Sequence, residues 1–161
     1  MSDFAASWSL SRKRLLDEVS PLSQAQLNWR MHPGSLTIGE MAMHVAGVEV
    51  SFMSQLQGLA LDEHGRRLAL AATEGVVNDN PFPYAESEIT PVAIAQAFDF
   101  SHGLVEPVIT APSEELRQKE IKSALGPMIS GEGALARLGF HSAYHQGQAY
   151  LMKTAPGFPN E

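Results

Sequence analysis

Apolar side chains recur along this chain at three- and four-residue steps, the pattern of helices that bury one face. In the first segment Phe4, Trp8, Leu15 and Val19 form such a row with Ala5 and Leu16 beside them. Pro21 stops it, because proline has no N–H for the next helical bond. A short helical turn follows over 23–29, then a loop holding His32, Pro33 and Gly34. Ser35 or Thr37 can cap a second long helix, whose stripe reads Ile38, Met41, Ala42, Val45, Val48, Phe52 and Leu56 up to a stop at Gly58. Thr90 followed by Pro91 starts a third, with a capping hydroxyl and proline in the first turn. That helix carries Ile94, Ala95, Phe98, His102, Val105 and Ile109 on one side, and Pro107 should bend or end it. The fourth begins near Gly131 and runs to about Thr154, before Pro156 and Gly157.

The intervening stretches are harder to read. Residues 68–72 suggest a brief helix, 78–83 a loop, 112–122 a polar helical turn and 119–129 a short extended piece. Four long amphipathic helices and no sustained alternation predict an all-α fold, a four-helix bundle. With 161 residues and no repeat or linker, the expectation is a single domain over residues 1–161.

Composition narrows the function classes. Eleven Lys and Arg against 18 Asp and Glu give a net charge of -7, which repels phosphate backbones, so no nucleic-acid partner is expected. The longest purely apolar run, 68–72, is far below the roughly 20 residues of a spanning helix, and the first ten residues lack a signal-peptide core. No membrane association and a cytoplasmic location are therefore expected. Absence of cysteine excludes disulfides, thiolate ligands and a cysteine nucleophile.

The candidate chemistry lies in histidines. His141 and His145 are four residues apart in the fourth helix, so their rings project from one face, a turn apart, and two ring nitrogens can reach one divalent ion. Ala134, Leu138 and Met152 lie within about 60° of His145 on a helical wheel, which turns the pair inward. His44, between Met41 and Val48, also borders a buried stripe. Three neutral imidazoles around a cation satisfy one another and leave coordination positions open, whereas the alternative is core histidines bonded to carbonyls.

His102 continues the Ile94–Phe98 row and should face the core, as a fourth ligand, a substrate contact or a plain buried histidine. His32 and His64 sit in loops and should be solvated. Gln148 shares the face of His145, either to orient a ligand or to bridge the bundle. Trp29 either walls a pocket or packs the loop onto the bundle, and Glu40, with Glu49 and Asp99 behind it, could accept a ring N–H of a ligand histidine. The methionines at 41, 43, 53, 128 and 152 read as core filler.

Three runs carry a family resemblance. Leu22-Ser23-Gln24-Ala25-Gln26-Leu27-Asn28-Trp29 with Gly34-Ser35-Leu36-Thr37-Ile38-Gly39-Glu40-Met41-Ala42-Met43-His44, and the closing His141-Ser142-Ala143-Tyr144-His145-Gln146-Gly147-Gln148, resemble the DinB/YfiT-like superfamily of metalloenzymes. Nothing in the chain resembles the DNA polymerase that shares part of that name. The resemblance implies a four-helix bundle with a divalent metal, commonly nickel or zinc, held by His44, His141 and His145. It also implies chemistry on a small thiol of the bacillithiol or mycothiol type, transferred or added to an electrophilic small-molecule substrate, and a possible homodimer. A chain without cysteine must take its sulfur from a ligand. A metal-dependent hydrolase and a non-catalytic, stress-related protein that binds metal or ligand are the alternatives.

Overall fold

The structure is a computed structural model that describes residues 2–160. Its long helices are α1 (Asp3–Val19), α3 (Ile38–Gln57), α5 (Pro91–Ile109) and α7 (Gly131–Lys153). Shorter ones are α2 (Gln24–Leu27), α4 (Glu63–Leu70) and α6 (Glu114–Gln118). The long helices form a ring in which α1 packs along α7, α7 on α3, α3 on α5, and α5 closes on α1. This is the all-α, four-helix arrangement that the periodicity predicts. One small sheet is added: β1 (Glu120–Lys122) pairs antiparallel with β2 (Met128–Ser130), Ile121 opposite Ile129, where only an extended piece was expected.

Side-chain caps set the helix starts by satisfying N–H groups that have no intrahelical partner. Thr37, rather than Ser35, caps α3 in a capping box: its hydroxyl accepts from Glu40 N, and the Glu40 carboxylate accepts from Thr37 N. Thr90 and Ser130 cap α5 and α7 through the hydroxyl alone. Asp62 starts α4 earlier than the apolar run suggests, so 68–72 forms its last turn and exit. Pro107 does not break α5, which ends two residues later at Ile109.

Two contiguous groups of buried side chains fill the ring from end to end. Between Ile38 and Val50 α3 is buried on every side rather than along one stripe, because α4 covers the face that the other long helices leave open. Gly47 makes that cover possible: a Cβ there would lie 2.5 Å from Leu68 O and 3.0 Å from Ala72 N. On α5 the buried positions are Ile94, Ala97, Phe98, Ser101, Val105 and Ile109, so the inward row passes through Ser101. His102 and Ala95, expected inside, lie beside that row: His102 is half-exposed and Ala95 exposed. Among the described residues no helix is long and apolar enough to cross a membrane.

Candidate metal centre

His44 sits in the second turn of α3, aimed at α7, and His141 and His145 occupy successive turns of α7 facing it. His44 Nε2 is 3.1 Å from His141 Nε2, and His145 Nε2 is 3.2 Å from His141 Nε2. The rings meet edge-on, with interplanar angles of 70°, 80° and 89°. The three form a group that could hold a metal ion, with ligand atoms all within 4.8 Å of one another. A four-coordinate ion with bonds of about 2.0–2.1 Å to imidazole nitrogen needs donors roughly 3.3 Å apart. The spacing fits.

Proton bookkeeping limits what these three rings can do by themselves. His44 Nδ1 lies 2.9 Å from Ala71 O. A carbonyl can only accept, so Nδ1 carries the hydrogen and the neutral ring presents a bare lone pair at Nε2. His141 Nε2 then faces two neighbours with at most one hydrogen of its own. If it donates to His44, it cannot accept from His145; if it accepts from His145, two lone pairs face each other toward His44. The contacts cannot both be hydrogen bonds among neutral rings, whereas one cation shared by three lone pairs satisfies them all.

Extra protons do not resolve the conflict. Burial, then the charges of His145, His44 and Arg137, push the His141 ring down to about 2 from its ordinary 6.5. Burial and then the His44 charge bring His145 down to about 4, with the Gln148 side chain opposing. His44 is lowered by burial, against the pull of its bond to Ala71. All three are therefore neutral at physiological pH, the state that ligates metal. His141 Nδ1 and His145 Nδ1 are buried without a hydrogen-bond partner, so the helix itself orients these two rings.

The cluster opens onto a cavity of about 850 Å³. Its wall is mainly apolar, including Met41, Val48, Phe52, Phe140, Leu151 and Met152, with Gln148 beside His145. Arg137 also lines it, and among the described residues no carboxylate does. Positions that three protein ligands leave open on an ion would face this space.

The other expected site residues fall in different places. Trp29 does not line the cavity; its ring packs edge-to-face on Phe158, 5.5 Å between centroids, and fastens the loop before α3 to the C-terminal segment. His102 is also absent from the wall. It packs on Trp8 at 5.4 Å and faces Glu106, because the inward row of α5 runs through Ser101. His32, expected in solvent, is exposed yet stands at the cavity mouth, and exposed His64 packs on Phe100. Glu40 is occupied by its capping box and by Arg30, 2.7 Å away. Glu49 is buried against Trp8 Nε1, Arg12 and the Ser101 hydroxyl, and Asp99 is exposed. Met41, Met43, Met53 and Met152 are buried as expected, but Met128 is exposed.

Two contributors were not foreseen from the sequence. The acceptor that orients His44 is the Ala71 carbonyl, which no side-chain pattern could reveal. Arg137 was detectable in principle, since it lies one turn before His141 on the same helix face.

The sequence matches the family model described as the DinB superfamily over residues 7–149. The fold resembles the crystal structure of a DinB-like protein from Bacillus cereus ATCC 10987, with a TM-score of 0.63 and 17% identity. That match covers 98% of this chain and 95% of the other. No curated protein matches the sequence.

Proposed function

The chain belongs to the DinB superfamily, and from that premise we propose that it is a divalent-metal enzyme, of nickel or zinc, that adds or transfers a small thiol to an electrophile. The observation that carries the reading is the convergence of three imidazole Nε2 atoms, at 3.1 and 3.2 Å, on the edge of a large apolar cavity. His44, His141 and His145 would hold the ion. When bound, it would supply Lewis acidity that favours a thiolate over a thiol near neutral pH.

The protein's own residues do the rest. His44, its tautomer fixed by Ala71, presents its Nε2 lone pair from α3 and would hold the ion there, as His141 and His145 would from α7. The apolar wall excludes water from the electrophile, so that sulfur rather than water attacks. The Gln148 amide, beside His145 at the cavity wall, orients the bound substrate by hydrogen bonding. With no cysteine in the chain, the sulfur belongs to a small cosubstrate of the bacillithiol or mycothiol kind. The reaction then belongs in the cytoplasm, where such thiols stay reduced. Among the described residues no carboxylate lines the cavity, which disfavours hydrolysis through a carboxylate general base.

The test is elemental analysis of the purified protein, followed by turnover of thiols with chloroarene and epoxide acceptors. About one ion per chain and a thioether product are expected, both lost in His145→Ala. Turnover needing only water would replace the reading with hydrolysis. Bound metal and ligand without turnover across several thiols would leave a binding protein.

A further inference from the structure

Among the described residues the cavity has one permanent charge on its wall. Arg137, half-buried on α7 one turn before His141, donates from Nη1 to the Ser123 hydroxyl at 2.7 Å. Ser123 belongs to the turn between β1 and β2, and its hydroxyl also accepts from Leu125 N. This contact fixes the guanidinium in position without neutralising it.

Other arginines show how unusual that is. Arg12, Arg30, Arg67 and Arg117, the remaining buried or half-buried ones, each pair with a glutamate: Glu49, Glu40, Glu88 and Glu132. Arg137 has no carboxylate partner among the described residues, in a chain with an excess of seven acidic groups. Among the described residues no acidic group lines the cavity. Its wall holds this cation, the three neutral imidazoles of the cluster, His32 at the mouth, uncharged polar groups such as Gln148 and Tyr144, and mostly hydrocarbon. A guanidinium presents a planar fork of donors that matches a carboxylate. Loading a divalent cation next to it raises the local positive charge further, and an anion inside the cavity offsets both.

We propose that Arg137 is the anion-recognition residue of this cavity, and that the organic molecule bound there carries a carboxylate on an apolar body. The inference rests on the metal-enzyme reading only for the identity of the reacting centre. Arg137 grips the carboxylate at one end, the apolar wall takes the hydrocarbon, and the reacting atom lies toward the histidine cluster. The carboxylate can belong to the electrophile or to the thiol.

Calorimetric titration with matched probes decides the matter. The wild-type protein should bind octanoate about tenfold or more tightly than octanol. Arg137→Met should remove that preference and leave octanol binding unchanged, and Arg137→Lys should retain part of it. Arg137→Gln is a second variant should the Met substitution lower the melting temperature. The same comparison with mercaptopropionate and mercaptopropanol locates the carboxylate: a preference that depends on Arg137 in this pair assigns it to the thiol, and in the octyl pair alone to the acceptor.

Equal binding of acid and alcohol by the wild type, or a preference that survives in both Arg137→Met and Arg137→Gln, overturns the inference. In metal-free His145→Ala the preference should persist. If it disappears there and survives in the Arg137 variants, the carboxylate sits on the ion, so this inference fails and the metal reading stands. A wild type that takes up no metal yet keeps an Arg137-dependent preference is the opposite case: the metal reading fails and the anion site stands.

Discussion

At the scale of single residues, chemistry depends on which groups are buried with a partner and which without one. Glu49 and His141 illustrate the two cases. Glu49 is 1% exposed but lies among the Trp8 N–H, the Arg12 guanidinium and the Ser101 hydroxyl, so its charge is met from three sides. Glu49→Ala would leave Arg12 buried and uncompensated, at a cost of about 3–5 kcal/mol in urea unfolding. Retention of metal by the folded fraction of that variant would show that the network is structural. His141 Nε2, by contrast, lies against two further ring nitrogens, and among neutral rings at most one of those contacts is a hydrogen bond.

The sign of the pH response follows from that contrast. In metal-free protein the folded His145 ring stays neutral down to about 4 and His141 to about 2, whereas unfolded imidazoles take up protons around 6.5. Between those values the unfolded chain binds more protons, so stability falls as pH drops from about 6.5 toward 4. The melting temperature of metal-free protein should decline across that window, and His141→Asn should flatten the decline. An unchanged slope would mean that these rings are not the source.

At the scale of elements, α3 and α7 bring the three histidines together, and α4 aligns one of them. The α4 exit reaches His44 because Gly47, one turn beyond His44 on α3, leaves room for the 68–72 backbone. Gly47→Ala should therefore cost about 1–3 kcal/mol in stability through overpacking. It should also weaken metal binding about tenfold as the Ala71 carbonyl moves away from His44. Gly103→Ala on α5 is the control: nothing lies within 4 Å of a Cβ there, and stability should hold or rise by up to about 1 kcal/mol. A gain in Gly47→Ala equal to that in Gly103→Ala would leave helix propensity alone at work and remove the close approach as a constraint.

On the scale of the whole molecule, the buried side chains extend well beyond the histidine cluster, so the bundle does not need an ion to fold. A metal ion bound to the folded state alone would still add stability, about 2.7 kcal/mol at a free concentration a hundred times the dissociation constant. Chelation should lower the melting temperature while far-ultraviolet dichroism keeps its helical form. Loss of helix on chelation would mean that the ion is part of the core.

Local interactions explain what was legible in the amino-acid order. Helix starts depend on Thr37, Thr90 and Ser130, and helix faces on apolar side chains three or four residues apart, all within one or two turns. The facing of His141 and His145 is equally local. Other features depend on which distant segments meet. His44 and His141 are 97 positions apart, the Ala71 carbonyl reaches His44 across 27, and Ser123 steadies Arg137 across a strand pair. His102 shows the limit from the other side: spacing admitted it to a buried row, but the packing of α1 and α3 on α5 chose the row through Ser101, about 100° away on the helix. Backbone periodicity thus determined the rods and the one-turn histidine pair, because both arise from hydrogen bonds between near neighbours. Only long-range packing decided where the rods touch, which backbone carbonyl orients a ring, and which cation was left facing an apolar cavity.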